Sequence, residues 1–207
     1  MSRASEKPKR QSLFTAFGGE RRIASGELLE VARACKAYVD GGGEGRVVIF
    51  DDSSGRLVEL SLRGSPEDVE ERARAAAREP GGNGGRPRGR GRPKLGVVAK
   101  EVTLLPRHWA WLAAQRGSAS ATLRRLIDEA RRTHEGRDRV RRAQDAAYRF
   151  MSVKLGNEPG YEEAMRALYA CNEERFRAEA DGWPEDLRTY CERLAANAFR
   201  EATPSEE

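Results

Sequence analysis

The stretch RVVIFDDSSGRLVELSL (residues 46–62) decides the fold class of the first part of the chain. Two apolar runs flank the polar turn DDSSG, which is the pattern of a β-hairpin. In the second run every other residue from Val58 to Leu62 is aliphatic, so one face of that strand is apolar. Asp51 and Asp52 are therefore interpreted as turn residues and not as metal ligands or an acid–base pair.

The segments on either side of this hairpin complete a small domain. Ser65, Pro66 and Asp68 are typical of a helix start, with serine as N-cap and proline at the first helical position. The sequence therefore predicts an α+β domain over residues 12–79, preceded by a disordered tail over residues 1–11. Its other elements are a strand pair in LFTAFGGERRIASG (residues 13–26), an amphipathic helix from Leu28 to Val39, and a helix in SPEDVEERARAAA (residues 65–77).

A basic stretch follows this domain. Residues 80–96 are almost wholly Gly, Pro, Arg, Asn and Lys, so they cannot bury apolar surface and predict a flexible linker. Within it, RGRPK (residues 90–94) resembles the core of the AT-hook, a peptide that lies in the minor groove of A·T-rich DNA, with Gly89 where that family usually has proline. The resemblance implies a cationic DNA-binding edge, and the alternative is a solvated tether. Alternate residues of an extended chain share a side, and those on this edge are Arg86, Arg88, Arg90, Arg92 and Lys94.

Residues 97–134 predict a strand, a short helix and a second helix. Pro106 stops the strand, Gly117 ends the first helix, and Ser118 or Ser120 is the N-cap of the second. This order resembles the ribbon-helix-helix family of bacterial DNA-binding proteins. One strand and two short helices cannot close a core, whereas two copies can do so by pairing their strands. The alternative is that these residues form a helical hairpin of a larger single core.

The ribbon-helix-helix resemblance implies where double-stranded DNA would be contacted. Outward side chains of the ribbon would read bases in the major groove, and the start of the second helix would bind a phosphate. Two registers of the strand remain open: Lys100, Val102 and Leu104 face outward in one, and Glu101 and Thr103 in the other. The implied contacts outside the basic stretch are Lys100, Thr103, Ser118 and Ser120.

The last part of the chain predicts a helical region over residues 135–200 and a tail over residues 201–207. From Glu158 to the end, 13 acidic residues face 6 basic ones. The sequence leaves open whether these helices pack on residues 97–134 or on the first domain. The three predicted helices lie in RDRVRRAQDAAYRFMSVKLG, GYEEAMRALYACNEERF and WPEDLRTYCERLAANAF.

The whole chain also resembles an uncharacterised bacterial family of unknown function. The resemblance covers most of residues 13–200 and implies that the predicted modules form one architecture, but it implies no activity. The segments that carry it are FTAFGGERRIASG, GRPKLGVVAKEVTLLPRHWAWL and FMSVKLGNEPGYEEAMRALYA.

Composition limits the class of function. The net charge of +5 and the pI of about 9.3 favour an anionic partner. No run approaches the roughly 18 apolar residues of a membrane span, and the start of the chain lacks an apolar signal region, so we expect a cytoplasmic protein without membrane contact. His108 and His134 are the only histidines, and the three cysteines are scattered. We therefore expect no catalytic site, no metal site and no cofactor.

Two functions fit these observations. The first is a non-enzymatic DNA-binding protein, a transcriptional regulator or nucleoid-associated factor, that forms a homodimer through residues 97–134. The second is a non-catalytic interaction module, in which the N-terminal domain and the acidic helical end bind a protein partner and the basic stretch is only a tether.

Overall fold

The computed structural model describes residues 13–78 and 100–200. The chain divides into two compact units. The sheet unit comprises residues 1–80 and 136–207, and the basic unit comprises residues 81–135. The arm predicted to contact DNA, Arg86 to Lys94, lies outside the described residues.

The sheet unit contains a four-stranded antiparallel sheet of order β2-β1-β3-β4. Strand β3 pairs with β4 so that Ile49 faces Val58, which confirms the predicted hairpin. Strand β4 is only two residues long, but the predicted alternation continues beyond it, since Leu60 and Leu62 are also half-buried. The strands are β1 (Phe14–Gly18), β2 (Arg21–Gly26), β3 (Val47–Asp51) and β4 (Leu57–Val58).

Two helices cover one face of this sheet. Helix α1 (Leu28–Asp40) ends at Gly41 as predicted, and helix α2 (Pro66–Arg78) begins after Ser65. The Oγ of Ser65 accepts a hydrogen bond from the N–H of Asp68 at 3.3 Å, and the Asp68 carboxylate accepts from the N–H of Ser65 at 2.9 Å. This reciprocal capping box confirms the predicted helix start. The side chains in this layer's core include Ala16, Leu28, Val31, Cys35, Ile49 and Val69.

The C-terminal helices cover the opposite face of the sheet. Because side chains alternate along a strand, Phe17 and Phe50 point away from α1 and α2 and into a second core. There the rings of Phe50 and Phe150 lie 5.0 Å apart, and those of Phe150 and Tyr190 lie 4.7 Å apart. The helices involved are α4 (Ala119–Lys154), α5 (Tyr161–Tyr169), α6 (Glu173–Ala180) and α7 (Glu185–Arg200).

The sequence left open whether the C-terminal helices pack on residues 97–134 or on the first domain. In the structure they share a core with the N-terminal sheet. The predicted α+β class is confirmed, with the sheet buried between two helical layers. The runs FTAF and VVIF are apolar at nearly every position, which is typical of strands that are covered on both faces.

The backbone is tightest where the β3–β4 turn meets α4. Gly55 is buried at a φ of +65°, and a Cβ atom added there would lie 2.1 Å from the carbonyl oxygen of Ala146. Nη1 of Arg149 donates a hydrogen bond to the carbonyl of Ser54 at 2.7 Å. The turn therefore contacts the helix backbone directly, which only glycine permits.

Three predicted elements differ from the structure. Residues 100–105 belong to no strand, because a strand needs a partner and the four described strands pair with one another. The helix predicted to end at His134 continues as α4 to Lys154, since the single Gly136 costs only about 1 kcal/mol within a helix. The helix predicted across residues 160–176 is two helices, because Cys171 adopts a φ of +54° and Asn172 caps α6 by accepting from the N–H of Arg175.

The described part of the basic unit contains helix α3 (Pro106–Ala113) and the first half of α4. Leu105 is the N-cap of α3 with an extended backbone, and Pro106 begins the helix as predicted. Among residues 100–135, only Leu112 and Thr122 are buried. Both hydrophobic clusters of the described chain belong to the sheet unit.

Candidate nucleic-acid interface

Positive charge is concentrated in the basic unit. Residues 81–135 contain twelve lysines and arginines and four acids, a net charge of +8. The whole chain carries only +5, so the rest of it carries −3. This separation of charge lies along the division between the two units and places any attraction for a polyanion on the basic unit.

The two predicted contacts that precede α3 lie on the surface. Lys100 and Thr103 are both exposed, and so are Glu101 and Val102, whereas Leu104 is half-buried. Because residues 100–105 form no strand, neither of the two registers that the sequence left open applies, and residues assigned to each register are exposed. The described backbone brings Lys100 and Thr103 into one exposed segment immediately before α3.

Ser118 is the N-cap of α4, which resolves the choice between Ser118 and Ser120. Its Oγ accepts from the N–H of Ala121 at 3.2 Å, and its carbonyl accepts from the N–H of Thr122 at 3.0 Å. Ser120 lies exposed in the first turn, and its carbonyl accepts a hydrogen bond from Nε of Arg124 at 3.2 Å. The Arg124 guanidinium thus lies beside the N-terminus of α4, the positive end of the helix dipole. The positive charge of the guanidinium and the helix dipole both favour an anion there.

An arginine face on α4 adds to this surface, and the sequence analysis did not identify it. Arg124 and Arg125 recur as Arg131 and Arg132, a spacing of about two helical turns that returns side chains to the same side. All four side chains are exposed, and two acids, Asp128 and Glu129, lie three or four residues from them along the helix. The repeated Arg-Arg pair was the available signal. Another side of the helix carries the apolar residues Leu123, Leu126, Ile127 and Ala130, which recur at helical spacing.

Several large apolar side chains in the described part of the basic unit are exposed. The described residues of this unit supply five of the exposed large hydrophobic side chains, and Ile127 is 56% exposed. Such a density of exposed apolar surface in a short segment is typical of an interaction face. These five side chains are Val102, Leu105, Trp109, Trp111 and Ile127.

The aspartates of the β3–β4 turn have structural partners. Oδ1 of Asp51 accepts hydrogen bonds from the N–H and the hydroxyl of Ser53, at 2.7 and 2.6 Å, as a turn aspartate does. Asp52 instead accepts from the hydroxyl of Tyr190 at 2.9 Å and from Nη2 of Arg193 at 2.8 Å. Burial, followed by the charge of Asp52, raises the pKa of Tyr190. Its hydroxyl therefore stays protonated and donates to the carboxylate that joins the sheet to α7.

The other chemically interesting side chains do not converge. Among residues 13–78 and 100–200, no group of three or more histidine, cysteine or carboxylate side chains is placed to hold a metal ion. Cys35 and Cys191 are buried, and burial raises the pKa of the Cys35 thiol to about 11. In the same described ranges, no helix is both long enough and apolar enough to cross a membrane.

Comparison with known proteins identifies a family. Neither the curated proteins nor the solved structures contain a match to this chain. A family profile, described as an uncharacterised protein conserved in bacteria (DUF2239), matches residues 13–195. That range includes the sheet, the basic unit and most of the C-terminal helices, which confirms the resemblance seen in the sequence. The chain therefore belongs to this uncharacterised bacterial family.

Proposed function

We propose that the protein binds double-stranded DNA through its basic unit, as a non-enzymatic transcriptional regulator or nucleoid-associated factor of the cytoplasm. The observation that carries this proposal is the net charge of +8 over residues 81–135 in a chain of net charge +5. Lysine and arginine side chains release condensed counterions when they neutralise phosphates, and this release drives binding to duplex DNA.

Three parts of the basic unit have distinct roles in this proposal. The arm from Arg86 to Lys94 supplies one cationic edge without an acid. Lys100 and Thr103 contact the duplex from the segment before α3. The start of α4, with Ser118 and Ser120, receives a phosphate, and the exposed Arg124 supports it from the same turn. These contacts are mainly to the sugar–phosphate backbone, so they supply affinity more than sequence specificity.

We expect duplex binding to depend steeply on salt through the arm. If all five arm cations meet phosphates, the arm contributes roughly −4.5 to the slope of log affinity against log salt concentration. Changing Arg88, Arg90 and Arg92 to alanine should flatten the slope by about 2.7. The measurement is a fluorescence-anisotropy titration of labelled A·T-rich and G·C-rich duplexes at several salt concentrations.

The matched control replaces three exposed arginines of the sheet unit, Arg21, Arg46 and Arg56, with alanine. This variant loses the same charge but should keep the slope of the wild-type protein. Equal slopes for wild type and the arm variant would exclude the arm from the interface. Undetectable binding of wild type at low salt would overturn the proposal and favour the protein-interaction alternative.

We also propose that two copies associate through the basic unit. Among the described residues of this unit only Leu112 and Thr122 are buried, so these residues form no core, and Ile127 and Leu105 are exposed. Partners that pair about a two-fold axis would cover the same apolar side chains on each copy. Dimerisation would also double the number of phosphate contacts available on one duplex.

The dimer predicts that Ile127→Glu yields a monomer. Burying an aliphatic side chain contributes roughly 1.5–3 kcal/mol, and a carboxylate in its place adds a desolvation penalty, so the dissociation constant should rise at least about 10-fold. Sedimentation equilibrium at micromolar concentration measures this. The control is Val39→Glu on α1, since Val39 is 43% exposed in the sheet unit and Ile127 is 56% exposed. A wild-type protein that is monomeric throughout the concentration range would contradict the dimer.

A further inference from the structure

Two exposed tryptophans lie on different sides of α3. Trp109 is 46% exposed and Trp111 is 49% exposed. They are two residues apart on a helix, which rotates their side chains about 200° from each other. Each indole therefore belongs to a different surface of the basic unit, and the two surfaces differ in chemistry.

The surface around Trp109 is apolar. Leu105 precedes Trp109 by four residues, and the buried Leu112 follows it by three, so both lie near it on a helix. A second copy of the chain, as proposed above, would cover this side. Its chemistry suits a protein partner and not a polyanion.

The surface around Trp111 carries one cationic side chain. Arg107 precedes Trp111 by four residues and is exposed, so a guanidinium lies one turn from an exposed indole on the same side of α3. Gln115 follows by four residues, and its side-chain amide donates a hydrogen bond to the carbonyl of Trp111 at 3.3 Å. An aromatic plane next to a positive charge matches a base next to its phosphate.

We propose that Trp111 and Arg107 bind an unpaired nucleotide, so that the basic unit also holds single-stranded DNA. The indole stacks on the base, and the guanidinium pairs with the adjacent phosphate. The net charge of +8 on residues 81–135 supplies the complementary field for the rest of the strand. This inference rests on the proposed binding of DNA by the basic unit and adds a site for bases exposed outside a duplex.

The test is titration of the full-length protein with a labelled thymidine oligonucleotide of about 16 nucleotides, the upper end of such site sizes. Trp111→Leu should raise Kd about 5- to 140-fold, because it removes a stacked ring but keeps an apolar side chain. Trp111→Phe should retain most of the affinity, since a benzyl ring still stacks. Loss of affinity in both variants, or in neither, would overturn the proposal.

Matched controls separate this role from folding and dimerisation. Tyr169→Leu removes an aromatic ring that is 49% exposed, as Trp111 is, but lies in the sheet unit, and it should leave Kd unchanged. Trp111→Leu should leave the dimer intact in sedimentation equilibrium, and a monomer would assign Trp111 to the protein interface instead. The slope of duplex binding against salt should also be unchanged in Trp111→Leu.

Failure of this inference can be distinguished from failure of the proposed function. If wild type binds the duplex but Trp111→Leu binds the oligonucleotide as wild type does, the base-stacking site is wrong and duplex binding stands. If wild type binds neither form of DNA, both proposals are wrong.

Discussion

Phe150→Ala should lower the free energy of unfolding of the sheet unit by about 3–5 kcal/mol, the range for deleting a buried aromatic side chain. Phe150 has no exposed surface, and its ring lies 5.6 Å from that of Phe17, 5.0 Å from that of Phe50 and 4.7 Å from that of Tyr190. Each of these rings comes from a different element. The substitution therefore leaves a cavity at the point where two strands, α4 and α7 meet.

Urea denaturation followed by the fluorescence of Trp183 measures this loss. Trp183 is buried in the sheet unit, and changing Trp109 and Trp111 to phenylalanine makes it the only indole. The matched control is Tyr148→Ala, two residues earlier on α4, because Tyr148 is an exposed aromatic side chain. A loss below about 1 kcal/mol in Phe150→Ala would contradict the packing of α4 against the sheet.

Gly55→Ala should lower the same free energy by about 2–5 kcal/mol. A left-handed backbone costs a non-glycine residue roughly 1–2 kcal/mol, and forcing two backbone segments apart adds about 1–3 kcal/mol. The added Cβ would lie 2.1 Å from the carbonyl oxygen of Ala146, which is backbone and cannot rotate away. The turn must then move off α4, and the hydrogen bond from Arg149 to Ser54 is lost with it.

Gly19→Ala is the matched control for the contact with α4. Gly19 has a φ of +58°, close to the +65° of Gly55, but an added Cβ there meets no atom within 4 Å. It should therefore show only the backbone cost of about 1–2 kcal/mol. Equal losses in the two variants would mean that the close approach of the turn to α4 contributes nothing to stability.

Local chemistry made the first part of the fold predictable. The hairpin, the end of α1 at Gly41 and the capping box of α2 depend on turn, glycine and serine residues close in sequence. The α+β class followed from them. Each of these features lowers the free energy of a segment without help from distant residues, so its signal is present in the segment itself.

The misjudged elements depend on context. Gly136 reads as a helix end, yet it lies within α4, where its cost is small against a helix of 36 residues. The segment ACN (residues 170–172) was predicted as part of one continuous helix. The sequence did carry a signal for a new helix start there, because asparagine is a preferred N-cap and Asn172 is followed by two glutamates. The burial of both sheet faces needed the C-terminal helices, whose buried side chains begin at Ala143, about 80 residues beyond the hairpin.

The positive charge of the candidate site could be predicted from the sequence, but the arrangement of its arginines on α4 was not predicted. The basic arm was identified from its residue types. Lys100, Thr103, Ser118 and Ser120 were implied by the ribbon-helix-helix resemblance, and the structure establishes Ser118 as the N-cap. The arginine face of α4 was missed, since arginines are frequent throughout this chain. The seven-residue spacing of the two Arg-Arg pairs was nevertheless a signal that could have identified this face.

The sheet unit is built from two stretches of chain that are far apart in sequence, residues 1–80 and 136–207, and this affects its folding during synthesis. Phe17 and Phe50 emerge from the ribosome early, but the side chains that cover them, Phe150 and Tyr190, follow about 100 and 140 residues after Phe50. At a translation rate of roughly 5–20 residues per second, one apolar face of the nascent sheet stays exposed for about 7–28 s before the residues that bury it are synthesised. During that interval we expect the exposed apolar face to make the ribosome-bound chain prone to aggregation.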